Sequence, residues 1–348
     1  MAVARVLGIL VAAALASWLG GVGAESVFGP VPEFETRYEP PEVHPEAARG
    51  GGASQPTEDP ILEFWEDEYF PFVGFAAEPV SAAEVLASGP TGTRQHPSDD
   101  MVIIPAGPYT RGDDSLPGSR PAQSLDVAGF AIDRYEVTSA RYAAFIKATQ
   151  RRAPYVKGNW AAIYNWHKST HQSGMEEVPV VLVTWLDADA FCRWAGLRLP
   201  TEAEWEKAAR GAADARPYPW GDAWDSRKAN VVSRLSGPLK GVAEWDAFEA
   251  AWTGSKRPEI YGVGRYPTDA SPYGVMDMQG NVSEWVAGAF TEYPGAPANE
   301  RKGLGSELRV ARGNSWGNRD YSTSVAVRYP YRETRVDSVI GFRCARDL

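Results

Sequence analysis

Cysteine is scarce in this chain, with two in 348 residues, Cys192 and Cys344. Neither follows the apolar run near the N-terminus, which argues against a lipid attached there. Long hydrophobic runs are lacking as well. The run at residues 6–19 is about 14 residues, too short for a comfortable transmembrane helix. Excess positive charge is missing. The net charge of −10 argues against nucleic acid as a partner. There is no βαβ alternation and no internal repeat beyond scattered Glu-Trp pairs. What remains is a globular composition, 44% hydrophobic and 11% aromatic. Its 13 tryptophans suit a loop-rich fold held by large aromatic anchors.

Arg5, the apolar run and the small residues Val22-Gly23-Ala24 read as a secretory signal over residues 1–24. The mature protein is then periplasmic or secreted, with no integral membrane span once the signal is cleaved. An uncleaved N-terminal anchor is the alternative. Residues 25–97 form an acidic, Pro-rich extension. Between residues 25 and 100 stand 16 Asp and Glu against 3 Arg, a net of −13, so the rest of the chain totals +3. The extension holds 11 prolines and Gly50-Gly51-Gly52, and buries too little to fold alone. Inside it Phe64, Trp65, Tyr69 and Phe70 stand among acids. Such a cluster serves either as a docking motif for a partner or as a strap over the chain's own domain.

A main domain is expected over 98–348. Residues 101–107 and 130–137 read as strands. Thr138 or Ser139 can cap a helix carrying Tyr142, Phe145 and Ile146 at helical spacing. Residues 180–183 read as a buried strand. Thr184 with Asp187 then opens a helix that Gly196 ends, and Thr201 with Glu204 is a capping box for the next. Near the C-terminus, Arg312-Gly313-Asn314-Ser315-Trp316-Gly317-Asn318 is a loop signal, rich in residues that accept positive φ or bond their own backbone. Residues 324–328 alternate as a half-buried strand, Tyr329-Pro330-Tyr331-Arg332-Glu333 breaks it, and residues 340–344 form a last strand. The loop holds no His and no acid–base pair, so nothing in it looks like an activated nucleophile. Few helices, short strands and many loops make an α+β pattern.

The blocks Leu197-Arg198-Leu199-Pro200-Thr201-Glu202-Ala203-Glu204-Trp205-Glu206, Gly280-Asn281-Val282-Ser283-Glu284-Trp285, Arg312-Gly313-Asn314-Ser315-Trp316 and Gly341-Phe342-Arg343-Cys344 resemble signatures of the formylglycine-generating enzyme (sulfatase-modifying factor) family. Asp133-Arg134-Tyr135-Glu136-Val137-Thr138 and the block from Ala190 to Gly196 fit it too. The resemblance implies a C-type-lectin-like α+β fold rich in loops, and bound calcium. In catalytic members it implies oxidation of a substrate cysteine to formylglycine by copper, held by two cysteines, with molecular oxygen. The places of those two cysteines fall here on Asn318 and Thr323. Neither offers the thiolate that Cu(I) selects, so no copper is expected.

Both cysteines match positions that form a structural disulfide in some secreted members of the family. An even pair in an exported protein points the same way, and two separately buried thiols are the alternative. For calcium, Asn230, Val231, Asp246 and Phe248 resemble one family site, and Gly274, Asn281 and Glu284 a second, although Ser271 and Pro272 stand where an Asn is common. Ordinary loop chemistry explains either cluster as well. His167 and His171, if helical, would face one way and could hold zinc or iron, whereas in a loop they are solvated. Arg312, Arg328 and Arg343 either grip a substrate carboxylate or pair with the chain's own acids.

These readings converge on a non-catalytic exported binding or accessory protein, a subunit or partner in a cell-envelope complex. Its groove would be walled by Asn314, Trp316, Asn318, Arg319, Tyr321 and Thr323. One alternative is a metal-dependent, non-haem iron oxidoreductase using His167 and His171. The other is a lectin-like receptor that reads a ligand with the same loop.

Overall fold

A computed structural model describes residues 100–157, 161–237, 244, 247–248, 260–297, 308–318 and 324–348. The expected signal, the extension with Phe64, Trp65, Tyr69 and Phe70, and the site residues Asp246, Arg319, Tyr321 and Thr323 lie outside them. No helix among the described residues is long and apolar enough to cross a membrane.

Three helices carry the structure. α1 (Ser139–Thr149) is capped by Thr138, whose side chain accepts from the Arg141 N–H. α2 (Trp185–Trp194) and α3 (Glu202–Arg210) each open with a complete capping box, Thr184 with Asp187 and Thr201 with Glu204. Each box satisfies two amides that the first helical turn leaves without partners. Strands β1 (Met101–Ile104), β4 (Phe130–Asp133) and β9 (Ala345–Asp347) form an antiparallel sheet in the order β1-β4-β9. β2 (Gly107–Arg111) and β3 (Gln123–Val127) pair as a hairpin. A second sheet has the order β7-β6-β5-β8, from β5 (Ser283–Ala289), β6 (Leu308–Arg312), β7 (Arg328–Arg332) and β8 (Ile340–Phe342). β5 and β8 run parallel, and the other pairs are antiparallel.

Two hydrophobic clusters fill the interior. In the first, α1 and α2 stack aromatics on β8: Tyr142 lies on Phe191 at 5.6 Å, and Phe342 meets Phe191 at 5.4 Å. In the second, Trp205, Ala208 and Ala209 of α3 pack against β1, β4 and β6. The Cys192–Cys344 disulfide, with its Cα atoms 5.6 Å apart, ties α2 to the turn between β8 and β9.

Three expectations need correction. Residues 180–183 are buried but not a strand, because their amides go to separate partners, Val180 to Val137 and Leu182 to Asp337, and Leu182 has φ 59°. The strand expected over 130–137 stops at Asp133. Near the C-terminus the order is reversed: residues 325–326 turn, and Tyr329-Pro330-Tyr331 is the strand. β7 lies at the sheet's edge, where a proline without an N–H costs no ladder bond.

The disulfide closes a loop across a sequence separation of 152 residues, for which chain entropy alone gives a stabilisation of about 4–5 kcal/mol. Replacing Cys344 by Ser should therefore lower the melting temperature of the oxidised protein by several degrees, and reductant should no longer shift it. An unchanged melting curve would show the bond does not contribute.

Candidate functional site

The loop that follows β6 is built from small polar side chains and closes on itself. Gly313 has φ 72°, and a Cβ there would meet the Trp205 ring at 3.0 Å, so glycine is required on both counts. Beyond it the Asn318 side-chain oxygen accepts from the Ser315 N–H at 2.6 Å and from its hydroxyl at 2.7 Å. The Asn318 amide donates to the Tyr329 hydroxyl at 3.4 Å, and that hydroxyl donates to the Asn314 side-chain oxygen. Trp316 packs in the first hydrophobic cluster, with its backbone N–H on the Asn281 carbonyl. Asn314, Trp316 and Asn318 are thus buried and turned inward, and they do not wall an open groove as expected.

The three arginines of the C-terminal stretch pair with the chain's own acids. Arg343 spends all five N–H groups: two on Glu284, at 2.7 Å each, and the others on the carbonyls of Asp133, Arg134 and Met276. Trp205 donates its indole N–H to the same Glu284 carboxylate. Arg312 pairs with Glu206, which also takes Arg210 and the Gly112 N–H. Arg328 makes two bonds to Glu202 and stacks on Tyr293 at 4.2 Å. Burial alone would raise the Glu202 carboxyl, yet Arg328 and Arg312 hold it below the ordinary carboxylate range. Reading α3 from its sequence missed that Glu202 and Glu206 point inward. No local pattern shows it, because their partners Arg312 and Arg328 lie 106 and 126 residues away.

Asn281 is a second hub. Its side-chain oxygen accepts from Asn230 and from the Tyr261 N–H, and its amide donates to Glu136 and to the Tyr261 carbonyl. Asn230 and Asn281, expected in separate calcium sites, are therefore in direct contact. The second calcium set does not fit a cation. Both Glu284 oxygens hold Arg343, the Asn281 oxygen holds two N–H donors, and the Gly274 carbonyl accepts from Arg134. In the first set Val231 is buried and Phe248 half-buried, but Asp246 lies outside the described residues. Among the described residues no three His, Cys, Asp or Glu side chains converge as a metal site.

Three acids beside this hub, Glu136, Asp269 and Asp277, are buried, and the charge of Arg343 acts on each. Desolvation, then the neighbouring charge of Asp277, pushes the Asp269 carboxyl up to about 9. Desolvation also raises Asp277 and Glu136. The Asp269–Asp277 pair therefore keeps a proton at neutral pH.

His167 and His171 are not on a helix. His167 pairs with Thr170 across a tight turn, Lys168 has φ 58°, and the ring of His171 bonds the adjacent Gln172 carbonyl. The i and i+4 spacing thus fails to align them for one metal.

A family model described as a sulfatase-modifying factor enzyme 1-like domain matches residues 87–348. Inactive C-alpha-formylglycine-generating enzyme 2 of Mus musculus is 30% identical over 328 residues, covering 81% of this chain and 96% of that protein. Formylglycine-generating enzyme of Streptomyces coelicolor is 31% identical over 317 residues, covering 78% and 96%. Among solved structures, PvdO from Pseudomonas aeruginosa superposes with a TM-score of 0.53 at 28% identity, covering 75% of this chain and 100% of that one.

Two outcomes follow from the buried charges. Arg343→Met strands the Glu284 carboxylate, and should cost about 3–5 kcal/mol in denaturant unfolding. Adding Glu284→Gln should recover much of that loss. Failure to recover would mean the pair is not coupled. The raised Asp269 carboxyl binds its proton more tightly folded than unfolded. Its stabilising effect is therefore full below about pH 4, and is lost as pH rises through about 9. Stability measured from pH 7 to 9 should fall, and Asp269→Asn should flatten that slope. An equal slope in the variant would assign the loss to other groups.

Proposed function

The chain belongs to the sulfatase-modifying factor family, and we propose that it is a non-catalytic member, an exported binding or accessory protein that works with a partner in the cell envelope. One observation carries this reading. The chain has two cysteines, and both are consumed by the buried Cys192–Cys344 bond, so no thiolate is left to hold copper. Asn318, which stands where the first copper cysteine would fall, has its side-chain oxygen committed to Ser315. The relative in Mus musculus that is named inactive supports the same reading. The N-terminal apolar run with Arg5 supports export, and a disulfide suits an oxidising compartment.

Binding then falls to surfaces other than the inward-turned start of the 314–323 loop. The aromatic residues Phe64, Trp65, Tyr69 and Phe70, set among acids, are the segment this reading assigns to a partner. Calcium is assigned to Asn230, Val231, Asp246 and Phe248, as a structural ion that would brace the loops around Asn281.

The test is to supply the purified mature protein with copper, oxygen and a cysteine-bearing sulfatase peptide, and to follow the peptide mass. The expected result is an unchanged peptide, with calcium and neither copper nor iron at one per chain by elemental mass spectrometry. Conversion of the cysteine to formylglycine would overturn the reading.

A further inference from the structure

The domain carries a block of charge opposite in sign to that of the extension. From residue 139 to residue 175 there are six Lys and Arg and no Asp or Glu. The same block holds two of the four large hydrophobic side chains that are exposed among the described residues, Tyr155 at 53% and Ile163 at 51%. They belong to one surface. The Asn165 side chain bonds both the N–H and the carbonyl of Val156, and the Trp166 N–H bonds the Pro154 carbonyl. Ile163, Trp166, His171 and Met175 line a shallow pocket on it. Arg141 and Arg151 are paired with Asp133 and Asp187, whereas Lys147, Arg152, Lys157 and Lys168 make no ion pair among the described residues. The four cations thus belong to the same block of sequence as the exposed Tyr155 and Ile163.

We infer that this face is the docking site of the chain's own segment 61–72, which places Phe64, Trp65, Tyr69 and Phe70 on its exposed apolar side chains and Glu63, Glu66, Asp67 and Glu68 among the lysines. The occupant is chosen by charge and by tether. Residues 25–100 carry −13 in a chain whose remainder is +3, so the complementary acids sit in the same polypeptide. Where the description begins, Asp100 is held to Arg134 by an ion pair of 2.6 Å and by a backbone bond. Arg134 in turn stands five residues before α1, the first element of the basic block. The 27 residues between segment and anchor span up to about 90 Å when extended, so reach is not limiting. A connection of this length gives an effective concentration near the millimolar range, enough for a weak site to stay filled. This docking does not depend on whether the domain is catalytic, nor on whether the segment also engages another protein.

Hydrogen exchange of the full mature chain, read by mass spectrometry at low ionic strength, tests it. Amides 61–72 should exchange at least ten-fold more slowly than the Gly-rich stretch 48–54 of the same extension. That protection should vanish in 0.5 M salt, in the Trp65→Ala/Phe70→Ala variant and in the Lys147→Glu/Lys157→Glu variant. Peptides covering 152–172 should lose protection in step. Both lysines are exposed, and an unchanged melting temperature checks that the variants fold. Equal exchange in 61–72 and 48–54 would overturn the inference, as would protection that ignores the lysine reversals. Protection lost on ten-fold dilution would overturn it too, by assigning the face to a second copy.

Discussion

Everything in the second half of the chain is placed relative to one buried ion pair, Arg343 with Glu284. The guanidinium has five donors, and they find acceptors in three parts of the fold: β5, the end of β4, and the loop at Met276. Burying two charges costs several kcal/mol per ion, and the mutual attraction recovers it only with complete hydrogen bonding. That condition is met here, with Trp205 supplying a further donor to the carboxylate. The pair's consequence is positional. β8 must lie close enough to β5 for Arg343 to reach Glu284, and Gly341 makes room. A Cβ there would meet the Val180 carbonyl at 2.9 Å and Val282 at 2.9 Å.

The residue after Arg343 is Cys344, so a covalent bond and an ion pair act on the same short turn by different routes. The disulfide works mainly by restricting the unfolded chain. The ion pair works in the native state alone. β9 then pairs with β4, and the Ala345 backbone exchanges two bonds with Arg198. The other two arginines of the closing stretch go to one helix, Arg312 to Glu206 and Arg328 to Glu202, one turn apart on α3. The two arginines and α3 therefore depend on each other, since removing either side would leave buried charge without a partner.

Local chemistry in the sequence was legible and distant chemistry was not. The three Thr caps and the glycine-rich turn after Arg312 are each set by a few neighbouring residues, and the structure has them where the sequence places them. Tyr329-Pro330-Tyr331 was misread because proline signals a break unless the strand is known to lie at an edge, and that is a property of the whole sheet. Trp316 was read as a surface aromatic because nothing local shows that Val339 and Asn281 close over it. The Glu284–Arg343 and Glu206–Arg312 partners are 59 and 106 residues apart, beyond any periodicity. The two histidines follow the same logic in reverse. Their spacing would share a face only on a helix, and a positive φ at Lys168 puts a turn between them, in line with the loop reading.

The amide at residue 318 makes structural demands of its own on the loop. A copper-holding thiolate needs an open approach, whereas a buried carboxamide needs hydrogen-bond partners on both its atoms. Asn318 finds them in Ser315 and Tyr329, and Tyr329 in turn engages Asn314. Each bond draws the start of the loop further in. Restoring a cysteine at this position alone would leave the Ser315 N–H buried without an acceptor, at a cost of about 1–3 kcal/mol. The loop is thus held in its closed form by its own polar groups. The cores, the disulfide and the arginine pairs that hold the fold do not depend on what chemistry the loop carries.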